Sequence, residues 1–347
     1  MRMNSKRFFL SLLTSSARIG KRIVLLAAIF FFLLSPQYKA QVIDQNPPDY
    51  YAFEPVFKKE YIIKNHVRSI RAALVYKRDN QEIEDKGLSK CWEYDSIGQL
   101  KRYYSTSVHG FVNKEIVHPA RLKKGRRIYE PYITFEPVYT YDTLFTNYFY
   151  NKNHQIIIRR NRDGDYYNSV YYEYDAAGYL TKQSVFKETN ASDNRNQFKL
   201  GVQNLLSVES FRYEKLSPKQ TKRKHLNDEG KVYKETILNY DSLGRLKEEN
   251  SSFTVSWMRS SLKLKYNYAG QLIQKINTSN ENGDETSKSE YSYVDGNLDV
   301  EHRYTGDMLM YDYTFIYDRK SKELNSYFIR EFLNKAIVIG RYSYEYY

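Results

Sequence analysis

The chain has one cysteine, Cys91, so no disulfide can form within it and its stability must come from packing and hydrogen bonds. Cys91 reads as a small apolar strand residue rather than a reactive thiol. Long apolar runs are missing as well. A 12-residue stretch, Ile23–Leu34, falls short of the roughly 20 residues a membrane-spanning helix needs, and nothing after it comes near that length. No transmembrane helix is therefore expected after the leader. The six histidines (His66, His109, His118, His154, His225 and His302) occur in none of the local zinc spacings. There is no Gly-x-Ser-x-Gly elbow, no Gly-x-x-x-x-Gly-Lys loop and no Gly-x-Gly-x-x-Gly turn. These absences remove the locally recognisable nucleophile, phosphate-binding and zinc signatures. The chain reads as non-enzymatic, with no catalytic residue, metal or cofactor assigned. The acid pairs Asp163/Asp165 and Asp284/Glu285 could suit calcium, but they sit at hairpin tips where turn geometry already favours such residues.

The formal charge of +13 is lopsided. Residues 1–40 carry seven basic residues and no acid, which leaves 47 basic against 41 acidic residues, a net of +6, for the rest. That bias is too mild to suggest nucleic-acid binding. The first 40 residues have the order of a signal peptide: a basic stretch to Lys21-Arg22, the apolar run, then Ser35-Pro36 and Ala40 before Gln41. An exported protein of the periplasm, outer cell surface or medium is expected. Cleavage after Ala40 and retention as an anchor both remain open.

Tyrosine is abundant, at 36 residues against 18 phenylalanines. Many of the tyrosines fall in a repeat. Trp92-Glu93-Tyr94-Asp95-Ser96-Ile97-Gly98-Gln99-Leu100 matches Tyr172-Glu173-Tyr174-Asp175-Ala176-Ala177-Gly178-Tyr179-Leu180 and Leu238-Asn239-Tyr240-Asp241-Ser242-Leu243-Gly244-Arg245-Leu246. Degenerate copies surround Tyr150, Asn227, Tyr268, Tyr293 and Tyr317, and the chain closes on Tyr342-Ser343-Tyr344-Glu345-Tyr346-Tyr347. Two rings spaced by one residue lie on the same face of a strand. The Asp starts a turn through its side chain, and Gly takes the left-handed position that completes a hairpin loop. Second polar turns at the far ends, such as Asn161–Asp165 and Asn280–Asp284, complete an antiparallel meander. The predicted fold is all-β: repeated β-hairpins forming a curved, coiled or half-barrel sheet, because a flat sheet would leave its aromatic face in water.

The Tyr-Asp-x-x-Gly-x-Leu units resemble the YD repeat of the RHS family of bacterial surface and toxin-shell proteins, over roughly residues 90–347. In that family long arrays coil into a shell around a C-terminal toxin. This chain has too few units to enclose a domain, and the self-cleaving core segment is not recognisable. Short arrays of this kind behind a signal peptide also look like secreted proteins of Bacteroidetes-type bacteria, some with a porin-like curved sheet.

The resulting map is a signal peptide at 1–40, an arm and first strand at 41–88, and a repeat domain at 89–347 with insertions at 109–137 and 187–224. The anchor tyrosines and turn residues Tyr94, Asp95, Gly98, Tyr174, Asp175, Gly178, Tyr240, Asp241 and Gly244 are assigned to structure. Off-repeat Tyr132, Tyr139 and Tyr141 are better placed for a ligand, since an exposed ring offers an apolar face and a polar tip. The basic run Arg121, Lys123, Lys124, Arg126 and Arg127 suits an anionic envelope component. Glycans, such anionic material or another protein are the partners considered. The leading expectation is an exported protein that binds or scaffolds through a curved tyrosine-rich surface. An outer-membrane β-barrel and a degenerate toxin shell or its associated protein are the alternatives.

Overall fold

A computed structural model describes residues 43–44, 56–123, 125–193, 197–281 and 283–347. The signal-peptide and most of the loose-arm expectations lie outside those residues. A short pairing of β1 (Ile43–Asp44) with β2 (Val56–Phe57) precedes one helix, α1 (Lys59–Lys64). Then come β3 (Val67–Arg78), β4 (Glu84–Tyr94) and β5 (Leu100–His118), a small hairpin of β6 (Arg121–Lys123) and β7 (Arg126–Tyr129), and β8 (Tyr132–Tyr150). The chain continues through β9 (Ile156–Asp163), β10 (Tyr166–Tyr174), β11 (Leu180–Asn190), β12 (Leu200–Ser217), β13 (Gln220–Leu226), β14 (Val232–Tyr240) and β15 (Leu246–Phe253). It ends with β16 (Arg259–Tyr266), β17 (Leu272–Ser279), β18 (Glu285–Val294), β19 (Asn297–Thr305), β20 (Met308–Tyr317), β21 (Leu324–Glu331) and β22 (Ala336–Tyr346). Eighteen of these strands form a closed antiparallel barrel in which β22 pairs back onto β3.

The repeat's turn chemistry builds one end of the barrel. Asp95 Oδ1 accepts hydrogen bonds from the backbone N–H groups of Ile97 (3.1 Å) and Gln99 (2.8 Å), and Gly98 N–H donates to Asp95 O. Asp175 and Asp241 make the same pair of bonds two and four residues on. Asn151 does likewise, and Asn227 and Asn267 bond four residues on, so the degenerate copies keep the acceptor oxygen that the turn requires. His154 holds the glycine position at φ 64°, a left-handed conformation that costs a residue with a Cβ about 1–2 kcal/mol.

Two stretches differ from the expected insertions. Residues 109–137 continue β5 and β8 as one long hairpin, paired from Gly110↔Thr140 to His118↔Tyr132. The basic composition of its tip hides alternating Phe, Val and Ile on both sides. Residues 187–224 supply the end of β11, all of β12 and much of β13, with 191–199 and 218–219 connecting the strands. Their Lys, Asn and Ser sit on strands because cross-strand ladders tolerate polar side chains where one face meets water.

Cross-strand registers sort the wall into two faces. On one lie Trp92, Tyr148, Tyr172, Phe211, Leu238, Leu264, Phe315 and Tyr327, all buried. Phe57 packs against this face, edge-on to Trp92 and Tyr342. On the other lie the opposed pairs Glu93↔Arg102, Glu173↔Lys182 and Glu248↔Lys263, partly or fully exposed, and the half-buried pair His302↔Asp312. Inward side chains of a closed sheet converge while outward ones splay, so the buried aromatic face is the inner one. The inner face thus carries the buried rings, together with ion pairs such as Arg223–Glu249 and Arg303–Glu301, and the outer face carries exposed opposed charges. Among the described residues no helix is long and apolar enough to cross a membrane.

Candidate functional site

The anchor tyrosines belong to the barrel's own construction. Tyr150 Oη–H donates to Leu100 O (2.9 Å), Tyr174 to Ile156 O (2.8 Å), Tyr266 to Leu246 O (2.9 Å), Tyr317 to Leu298 O (2.8 Å) and Tyr344 to Leu324 O (2.8 Å). In each case the ring reaches back to the first or second residue of the return strand of the preceding hairpin. The bond is to the backbone carbonyl and joins one unit to the next. Burial pushes the phenols of Tyr150, Tyr317 and Tyr344 well above their ordinary range, so they remain donors. These rings are unavailable to a ligand.

One inner-wall cluster has the outline of a catalytic relay. Glu209 Oε1 faces His225 Nδ1 at 2.6 Å, His225 Nε2 faces Thr236 Oγ1 at 3.1 Å, and Thr236 and Ser251 share a 2.8 Å bond. Arg223 Nε–H also points at His225 Nε2, at 3.1 Å. An arginine can only donate, so Nε2 accepts and the proton sits on Nδ1, facing Glu209. The basic nitrogen of the ring is thus already occupied, and Thr236 is wholly buried. Burial alone would raise the Glu209 carboxyl, but the bonds from His225 and Tyr233 hold it below its ordinary value. The cluster is a satisfied internal strut.

A second cluster lies on the outer face. Glu188, fully buried, accepts from Arg160 Nε (2.8 Å), Ser169 Oγ (2.5 Å), Tyr171 Oη (2.6 Å) and Gln203 Nε2 (2.8 Å). Phe198 covers the Arg160 guanidinium at 3.9 Å. Every polar group of this cluster has a partner, as a buried ion pair requires.

An accessible depression of about 740 Å³ lies on the outer face across β14–β18. A row of directly opposed residues forms its floor: Ile237↔Asn250, Asn250↔Ser261, Ser261↔Thr278 and Thr278↔Thr286. Arg259, Asn280 and Asp284 stand at its edge. Asn280 Oδ1 accepts from Arg259 N–H (2.6 Å), and its Nδ2 donates to Trp257 O. Ser261 Oγ is buried and has no hydrogen-bond partner among the described residues. Hydroxyls and amides dominate this surface, with one apolar side chain. Sequence reasoning missed it because the residues come from five strands, and only the register aligns them. The Ser-rich runs 250–252 and 260–261 were the available signal.

The candidates singled out in the sequence lie elsewhere. Tyr132 and Tyr141 are exposed on the long hairpin, and Tyr139 is half-buried there. Tyr132 stacks on His118 at 4.5 Å, and Tyr141 Oη–H donates to Lys86 O (2.5 Å). Arg126 is exposed at the tip. Lys124 lies outside the described residues, as do the side chains of Arg121, Lys123 and Arg127. Tyr132, Tyr139, Tyr141 and Arg126 share one hairpin, and none of them lines the outer depression. Among the described residues no group of three or more His, Cys, Asp or Glu gathers as metal ligands would.

Fold and faces together define a closed 18-stranded antiparallel β-barrel whose inner wall combines buried rings with ion pairs and whose outer wall bears exposed charges. Similar solved structures include a porin-like protein from Bacteroides uniformis ATCC 8492, at 13% identity over 81% of this chain and 97% of that one, with a TM-score of 0.36. A porin-like protein from Bacteroides vulgatus ATCC 8482 is similar at 8% identity, over 59% of this chain and 94% of that one, with a TM-score of 0.27. TcdB2-TccC3 is similar at 14% identity and a TM-score of 0.23, over 72% of this chain but 15% of that one. No family model and no curated protein matches the sequence.

Proposed function

We propose that the chain is an exported, non-enzymatic β-barrel of the cell envelope that stands in water and binds a polar, hydroxyl-rich ligand of the glycan class on its outer wall. One observation carries the reading: outward positions of the wall hold opposed charges such as Glu173–Lys182 and Glu248–Lys263, where a wall that faces lipid would present a continuous apolar band. The outer depression offers hydroxyls and amides with Arg259 at its edge, a surface matched to a ligand that donates and accepts many hydrogen bonds. Export follows from the leader's order of charge and apolarity. The turn-and-ring units keep the resemblance to YD-type arrays within this proposal. The test is a glycan binding screen on the purified chain alongside Ser261→Leu and Arg259→Ala. Binding that both substitutions abolish supports the site, and a ligand that binds both variants unchanged removes it.

The second reading is an outer-membrane barrel. It is favoured by closure with an even strand number, and by short turns at the end that carries α1 and Tyr347 while the long β5–β8 hairpin lies at the other. It requires outward lysines such as Lys182 and Lys263 to face lipid, at about 2–4 kcal/mol each near the midplane. Cell fractionation separates the readings. Recovery in the soluble fraction without detergent supports the water-facing barrel, and release by detergent alone supports the membrane-spanning one.

A further inference from the structure

The long hairpin of β5 and β8 carries an exposed apolar face that the barrel does not use. Beyond the barrel rim, register places Phe111 opposite Tyr139, Glu115 opposite Phe135, and Val117 opposite Ile133 on one face. Phe111, Val117, Ile133 and Phe135 are 60%, 63%, 52% and 65% exposed. The other face is more polar: Lys114 opposes Glu136, and His118 Nε2 bonds Thr134 Oγ1 at 2.8 Å. Val112 and Val138 are exposed on that second face as well, so the projecting part of the hairpin presents apolar side chains on both sides, with Phe111, Phe135 and Ile133 on the first. Its tip is basic. Five of the seven residues 121–127 are Arg or Lys and none is acidic. The net charge outside residues 1–40 is +6, so all but one unit of that excess sits in this tip. Trp257, at 86% exposure, lies in the β15–β16 connection at the same end of the barrel.

We propose that this hairpin docks the barrel on an anionic lipid bilayer, with Phe111, Val117, Ile133 and Phe135 entering the interface and the tip against the headgroups. An exposed apolar face beside a concentrated positive charge is the signature of an element that lies on a membrane surface. Charge complementarity selects this occupant. A second copy of the chain bringing its own hairpin tip would set like charges side by side, whereas acidic headgroups neutralise them. Such docking is peripheral, and it requires no strand of the barrel to face lipid.

The experiment is co-sedimentation of the purified chain with two kinds of vesicle: phosphatidylcholine alone, and phosphatidylcholine with a minor share of phosphatidylglycerol. Two double variants are compared, Phe111→Ser with Phe135→Ser, and Arg126→Glu with Arg127→Glu, each first shown by circular dichroism to keep the β-sheet signature of the parent. The parent should bind the anionic vesicles and be released by high salt without detergent. Each double variant should bind about ten-fold more weakly or worse. Absence of binding to anionic vesicles, equal binding to neutral ones, or full binding by the Phe→Ser variant overturns the proposal. So does a dimer in solution that the Phe→Ser variant abolishes, which would assign the face to self-association. Detergent-only release would instead count against the water-facing barrel, so failure of the two readings can be told apart.

Discussion

Tyr317 and Tyr268 carry the same side chain at two sites of the array and do different things. Tyr317 Oη–H donates to Leu298 O at 2.8 Å from a half-buried position. Tyr268 lies in the turn between β16 and β17 and is fully exposed. Removing the Tyr317 hydroxyl deletes one bond and leaves a carbonyl without that donor, at a cost of about 1–2 kcal/mol. Tyr317→Phe should therefore lower the urea midpoint with an unchanged denaturant slope, while Tyr268→Phe leaves it where it is. Equal midpoints for the two variants would mean that the belt of hydroxyl-to-carbonyl bonds adds nothing to stability. The pairing also explains why the third close copy tolerates Leu238 in place of the first ring. Leu238 still fills the buried inner face, and the second tyrosine position is the one whose hydroxyl stitches neighbouring hairpins in other units.

At the scale of the element, each hairpin was legible wherever local chemistry decides its shape. Asp95, Asp175 and Asp241 bond the backbone two and four residues on, as an Asx-type turn does, and the degenerate copies keep Asn for the same reason. What local chemistry does not decide was not legible. The 109–137 stretch reads as a basic loop because five basic residues dominate its tip, although Phe111, Val117, Ile133 and Phe135 alternate in the strands that lead to it. The Ser261 row and the Glu188 cluster are set by register between strands distant in sequence, which no single strand announces. Glu188 gives the element-scale prediction. Burial alone would raise its carboxyl, but hydrogen bonds from Ser169, Tyr171 and Arg160 outweigh it and hold the group below its ordinary value of 4.5. A lowered folded value means that this stabilisation is complete above about pH 4.5 and is lost as the pH falls further. Glu188→Gln leaves Arg160 buried without its counter-charge, at a cost of about 3–5 kcal/mol near neutral pH. The stability gap between parent and variant should be widest at neutral pH and narrow progressively under acid, read by denaturant titration at several pH values. A gap that is constant with pH would mean that the carboxylate's charge is not what the cluster uses.

Over the whole molecule, closure decides what the aromatic face can be. Without the last strand, β21 and β3 would be open edges, and the rings of Phe315, Tyr327 and Trp92 would line a trough exposed to water instead of an inner wall. The seam is well supplied with bonds. Eleven residues of β22 run alongside β3, Ser69 Oγ–H donates to Glu345, and Tyr347 Oη–H donates to Tyr94 O at 2.6 Å. It joins residues separated by most of the chain, so loop-closure entropy opposes it and many contacts must form together. Ala73 and Arg341 face each other across this seam on the outer face. Replacing both with cysteine, in a Cys91→Ala background so that no other thiol competes, should give a cross-link under mild oxidation. The product should run as a more compact species on a non-reducing gel and be more stable than its reduced form by roughly 2–4 kcal/mol. If both thiols react with a soluble reagent but never with each other, the sheet is an open half-shell in solution. Its aromatic face would then be an exposed surface, and the argument that the barrel is built with that face hidden would have to be replaced by one in which it meets a partner.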